Sequence, residues 1–329
     1  MIFSTPNHSL SIICYPLNKL VHFIVHSKAA AYIAALLYIG VWCRQSVSTG
    51  GISLLGCLGL LLSLVMGYLS VRVAREYSFN NGKNALPATF FFMGCAIAPQ
   101  VNPARGDGLY FILLAVAVYI LLRTYRSRSA MGGYFLAFAL VGVLCLMAPS
   151  LLLTLPWLIL CGAFMESLHM RTFFAALWGL LFPYWMVVGL LFLTDRIGLI
   201  STCFAQLLPS EVGLSGALAS PQQWMQLLWI SLLALPGSVM ILFNRTMRLQ
   251  ASAGYRVLIT SLVILFITIC IFPTCYSALF PCVLLLSSLI GTHLFVGNGG
   301  RAKNIYLIVL LILLLLILGQ DVWSNYMMR

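Results

Sequence analysis

Eleven apolar runs of 15 to 22 residues follow one another along this chain: 28–43, 52–71, 85–99, 108–123, 132–148, 150–166, 172–193, 223–243, 254–272, 275–296 and 304–320. None carries Asp, Glu, Lys or Arg at its centre. Water cannot solvate so much hydrocarbon, and charged residues make up only 7% of the chain against roughly 25% in soluble domains. Lipid must therefore be the solvent, and backbone in lipid has to satisfy its own hydrogen bonds as helix. The expected fold is all-α: a polytopic transmembrane helical bundle of about 11 spans. Several runs sit at the short edge of the about 17 to 25 residues a crossing takes. The run 85–99 reads either as a span or as a re-entrant segment, and only Ala148-Pro149-Ser150 divides the two runs within 132–166.

The basic residues orient such a bundle. With the N-terminus cytoplasmic, the inner segments hold Lys19, Lys28, Arg72, Arg75, Lys83, Arg123, Arg126, Arg128, Arg171, Arg245, Arg248, Arg256, Arg301 and Lys303. The outer segments hold Arg44, Arg105, Arg196 and Arg329. Lys and Arg retained inside are the main determinant of orientation, so the C-terminus is expected in the periplasm. The net charge of +12 is scattered among connectors and forms no polar face for nucleic acid.

The domain reading is simple. Residues 1–27 form an N-terminal interfacial amphipathic segment, with Lys19, His22 and His26 opposite Leu20, Phe23 and Ile24 at helical spacing. No small-x-small cleavage site follows the first apolar run, so a cleavable signal is not expected. Residues 28–329 form a single transmembrane domain whose longest outer loop, 194–222, is below the roughly 40 residues that fold unaided. Ten cysteines include no CxxC pair, and six of them lie within apolar runs as packing residues. Cys203 and Cys275 both fall in outer connectors, where an oxidising compartment permits pairing. Three hairpins, 85–123, 132–166 and 254–296, turn at Pro99, Pro149 and Pro273; this reads either as proline at loop edges or as a duplicated hairpin.

Uncharged span interiors argue against proton- or sodium-coupled transport, because intramembrane charges usually mark ion routes. Chemistry must then sit at the two faces. On the outer face, Asp107, Asp195 and Glu211 are the candidate catalytic or metal-binding acids, and Arg105 and Arg196 the candidate phosphate-binding residues. A divalent metal is the one cofactor these acids suggest. Loop 204–218 mixes Leu207, Leu208, Val212 and Leu214 with Gln206, Ser210 and Glu211, as an amphipathic cover would. On the inner face, Glu166, His169 and Arg171 read as a helix-end anchor, and GNGGR at 297–301 as a turn. The small residues Ala175 and Gly179 permit close helix approach, as in a subunit with membrane-protein partners.

The block Leu86–Arg196 resembles an uncharacterised family of bacterial multi-pass inner-membrane proteins. The resemblance rests on the basic turn Arg123–Arg128, the GYF…APS…LP hairpin and GLLFPYW at 179–185. It implies a multi-pass protein of the bacterial inner (cytoplasmic) membrane. The arrangement is also loosely similar to membrane glycosyltransferases and glycan polymerases that use polyprenyl-linked sugars. Those enzymes present acids in an early, sizeable outer loop, whereas the first outer loop here, RQSVSTGG, is short and has none. Two expectations stand side by side. One is handling of a polyprenyl- or phospholipid-linked envelope substrate at the outer face, its tail sheathed by the spans. The other is a non-catalytic membrane scaffold or assembly subunit.

The orientation is directly testable. A periplasmic reporter enzyme fused after Arg329 should be active and the same reporter at Arg126 inactive; the reverse pattern would overturn the assignment.

Overall fold

The computed structural model describes residues 23–25, 27–48, 54–76, 85–98, 108–127, 130–147, 155–195, 221–243, 249–271, 276–295 and 301–327. All regular structure among them is α-helical. The helices are α1 (Lys28–Ser48), α2 (Leu54–Glu76), α3 (Leu86–Ile97), α4 (Gly108–Leu122), α5 (Met131–Met147) and α6 (Leu155–Phe164). They continue with α7 (Met170–Leu193), α8 (Pro221–Phe243), α9 (Leu249–Ile271), α10 (Tyr276–Phe295) and α11 (Arg301–Met327). Each lies on one of the apolar runs, and α5 and α6 divide the stretch 132–166 as expected. Five are long and apolar enough to cross a membrane by length and composition: α1, α7, α8, α9 and α11. The interfacial segment, apart from the helical residues Phe23–Val25 and Ser27, lies outside the described residues, as do Cys203, Cys275 and the prolines of the three hairpin turns.

Helix α3 is the centre of the bundle. It packs against α1, α2, α10 and α11, and ten of its twelve residues are buried. Twelve residues rise only about 18 Å, well short of the about 30 Å hydrocarbon core. It is a protein-enclosed helix, not a lipid-facing one. Pro87 at its first turn costs no hydrogen bond there, since the first N–H groups have no helical partner. Two of its three consecutive phenylalanines reach different neighbouring helices. Phe92 stacks on Tyr38 of α1 at 6.3 Å, and Phe90 meets Phe295 of α10 at 5.5 Å. Phe92 also fills the space beside Gly67 of α2.

Two further helix pairs approach closely through glycine. A Cβ at Gly179 of α7 would strike the carbonyl of Phe135 on α5, and one at Gly237 of α8 would stand 2.5 Å from the Ile290 carbonyl on α10. Small residues let backbones touch in this way, which is how helices without a hydrophobic driving force gain contact. Gly179 is thus used inside the chain, against α5. Helix α11 is stitched to α8 by Trp229 Nε1, which donates to the Leu310 carbonyl at 3.3 Å, and by the Tyr306 hydroxyl, which donates to the Leu232 carbonyl.

Helix α7 stands apart. Its buried residues, Thr172, Ala176, Gly179 and Pro183, form a single stripe towards α5. Beyond Pro183, the apolar residues 185–190 are exposed on every side, a surface suited to hydrocarbon and not to water.

The charged ends of several helices meet at one end of the bundle, here termed the basic end. It carries Arg72, Arg75 and Glu76 of α2, Arg123 and Arg126 after α4, and Glu166 after α6. Helix α3 starts at this end and runs away from it. Its contacts with α10 (Phe90 to Phe295, and Ile97 close to Tyr276) make those two helices antiparallel.

Candidate functional site

At the opposite end, α3 stops with a buried carbonyl that no helical turn can satisfy. The last carbonyls of any helix lack intrahelical partners, and away from water each is costly unless met by a side chain. Gln226, in the second turn of α8, supplies the partner: its Nε2 donates to the Ile97 carbonyl at 2.9 Å. The Tyr276 hydroxyl, at the first residue of α10, donates in turn to Gln226 Oε1 at 2.5 Å. Gln226 is 2% exposed and Tyr276 6%. One carboxamide thus joins the ends of three helices that lie up to 179 positions apart in sequence.

Of the residues the sequence singled out on the outer face, Asp195 lies among those described. It follows α7 in a left-handed conformation, φ 54°, exposed, with its N–H donating to the Phe192 carbonyl at 3.2 Å. Arg105, Asp107, Arg196 and Glu211 lie outside the described residues. Among the described residues, no three of His, Cys, Asp and Glu gather as a metal site would require.

The basic end is more fully built. Arg126 Nε donates to Glu166 Oε2 at 2.7 Å, and the Arg126 N–H donates to the Met165 carbonyl at 3.0 Å. Arg126 and Glu166 both adopt left-handed φ, 52° and 53°, so the turns after α4 and α6 are shaped to face each other. The Glu166 carboxylate, by hydrogen bond and charge, raises the Arg126 guanidinium above its ordinary value. Beneath the ion pair the Ser167 hydroxyl lies 2.8 Å from Tyr134 and 3.2 Å from Thr124. The Thr172 hydroxyl donates to the Ser167 carbonyl at 3.0 Å, and the His169 N–H donates to Thr172 Oγ1 at 2.8 Å. Of the expected anchor residues Glu166, His169 and Arg171, the first two join this set at the helix ends, while Arg171 is exposed in the first turn of α7. A second contact closes α2 on α4: the Tyr119 hydroxyl donates to Glu76 Oε2 at 3.0 Å, with Arg123 Nε 3.6 Å from Glu76 Oε1.

Between these two ends, α2, α4, α9 and α10 leave a small, shallow apolar crevice, part of it open to the outside. Its walls are Val73 of α2, Leu114, Ala115 and Val118 of α4, Leu258 and Leu265 of α9, and four residues of α10 between Cys282 and Leu289. No side-chain oxygen or nitrogen faces it. Water entering such a space would find no partners, whereas a hydrocarbon chain loses nothing by entering.

Gln226 and Tyr276 were not singled out by the sequence, nor was the buried pair Tyr255–His293, whose hydroxyl and Nδ1 lie 3.4 Å apart. A signal existed for Gln226. It is a carboxamide one turn inside an apolar run, where an unpartnered polar group is expensive. Nothing in the sequence named its partner. Comparison of the chain with protein-family models, curated proteins and solved structures finds no match.

Gln226→Leu should strand both the Tyr276 hydroxyl and the Ile97 carbonyl. Stranding a buried group costs about 1–3 kcal/mol, so thermal unfolding in nanodiscs should shift downwards. Adding Tyr276→Phe should recover part of that loss. A Gln226→Leu protein as stable as wild type would show that the α3 end is satisfied by other means.

Proposed function

We propose that this protein is a multi-pass protein of the bacterial inner membrane that handles a cell-envelope lipid or a lipid-linked glycan. The observation that supports this most is the apolar crevice, which is lined by aliphatic side chains and one cysteine and offers nothing to a polar group. The uncharged helix interiors agree with it, since a tail needs no charge along its path. In this reading eleven spans carry the N-terminus inside and the C-terminus outside, so the basic end is cytoplasmic. The outer loops then present Arg105 and Arg196 to a phosphate, with Asp107, Asp195 or Glu211 binding a divalent metal or acting as base. The loose similarity to polyprenyl-linked glycan enzymes agrees in substrate class and departs in the short, acid-free first outer loop, and the reading does not require a catalytic step.

The scaffold reading has its own support in α7, which packs on α5 along one stripe and leaves the rest of its apolar surface uncovered. One experiment separates the two. Envelope lipids and lipid-linked intermediates are profiled in cells lacking the protein and in cells complemented with wild type, Asp107→Asn or Arg105→Ala at matched protein levels. Lipid handling predicts an accumulated or missing species that wild type corrects and the variants do not. Unchanged profiles, together with stoichiometric membrane partners after mild-detergent purification, would replace it with the scaffold.

A further inference from the structure

The crevice opens in one direction, and its two ends differ. Among its lining residues, Ala115 of α4 and Leu285 of α10 are partly exposed, while Val73, Leu114, Val118, Leu258 and Leu265 are buried. Ala115 and Leu285 each lie near the middle of their helix. The opening is therefore at mid-depth, where the only available filler is hydrocarbon. At the end away from the basic residues, the lining continues through Leu114, Leu265 and Cys282 without a charged neighbour on any of those helices.

At the basic end the surroundings change within one turn. Val73 adjoins the exposed Arg72 on α2, with Arg75 and Glu76 completing the helix. Val118 adjoins Tyr119 on α4, whose hydroxyl is bound to Glu76. Arg72 lies one turn before Glu76 on the same face of α2, and Glu76 meets Tyr119 and Arg123, so α2 and α4 bring their cations to one place. Arg72, Arg75 and Arg123 outnumber the single carboxylate Glu76, which is already engaged by Tyr119 and Arg123.

An apolar slot entered from the bilayer, ending beneath a cationic cluster, has the two chemistries of a charged lipid in the right order. We propose that the crevice holds one acyl chain of an anionic phospholipid from the leaflet at the basic end, with its phosphate drawn to Arg72 and Arg123. The inference rests on the lipid-handling reading of the crevice and deepens it by fixing the leaflet and the headgroup charge of the resident lipid. It also places that lipid in the same slot an envelope substrate's tail would use, so the two would compete.

The test uses the full chain in phosphatidylcholine nanodiscs containing a trace of phospholipid with a photoactivatable diazirine in its acyl chain, either phosphatidylglycerol or phosphatidylcholine. After irradiation, adducts are mapped by mass spectrometry. Adducts should fall on α4, α9 and α10 at the crevice, and should be stronger with phosphatidylglycerol. Each arginine near an anionic headgroup is worth roughly fivefold in affinity, so Arg72→Gln and Arg123→Gln should each reduce that preference by about this factor. Both side chains are exposed, but Arg123→Gln also removes the Glu76 contact, so Arg72→Gln isolates the headgroup effect. Ala115→Phe should remove the crevice adducts while leaving those on α7, which meets bulk lipid. Equal crevice labelling by the two lipids, unaffected by either arginine variant, would overturn the anionic assignment and leave the tail site standing. Labelling confined to α7 and other outward surfaces would overturn both.

Discussion

The end of α3 is the constraint on which the rest of the bundle depends. A helix of twelve residues is short for a crossing, and its end is buried by protein, so the Ile97 carbonyl finishes where water cannot reach it. Enclosure by four other helices excludes lipid, and the Gln226 carboxamide satisfies the Ile97 carbonyl. Tyr276 then holds Gln226. Because those two residues lie in the first two turns of α8 and α10, the same contact sets how the C-terminal helices meet the N-terminal ones. Buried polar contacts of this kind specify an arrangement more than they stabilise it, since the alternatives leave a polar group stranded.

Charge is handled by the opposite strategy. Among the described residues the buried polar side chains are hydroxyls, one carboxamide and one histidine, and the Arg–Glu pairs stay at helix ends with both partners exposed. Such exposed pairs add little stability. Their effect is geometric: Arg126 and Glu166 align two turns, and Glu76 draws Arg123 and Tyr119 onto α2. Together these contacts bring α2 and α4 together at the basic end, beside the crevice. Hydrocarbon can enter the space between them, while the cations remain within reach of headgroups.

Much of the architecture was legible in the sequence because lipid removes choices. An apolar run of 15 to 22 residues has to be helical, and each of the eleven carries a helix among the described residues. Which runs lie in the interior was not legible. The segment at α3 is no more apolar than its neighbours to the eye, yet it is the enclosed one. Its shortness and the phenylalanine triplet Phe90–Phe92 were the clues, and both also fit an ordinary short span. The crevice was invisible for a related reason. Val73, Val118, Leu258 and Leu286 come from four helices and resemble every other aliphatic residue around them. The stretch holding Glu166, His169 and Arg171 stood out because charge is rare here, although Arg171 takes no part in the set that Glu166 and His169 join. Arg126, the partner of Glu166, was part of the basic turn, but no spacing rule joins positions 126 and 166.

The central claim is that α3 is enclosed by protein and held at its far end. Hydrogen–deuterium exchange of the full chain in nanodiscs tests it most directly, because exchange reports the local opening of each helix. The account predicts that the amides of Phe90–Ile97 exchange as slowly as those in the middle of α8 and α10. Exchange of the α3 amides in step with the exposed turns at Arg126 and Glu166, while α8 and α10 stay protected, would contradict it.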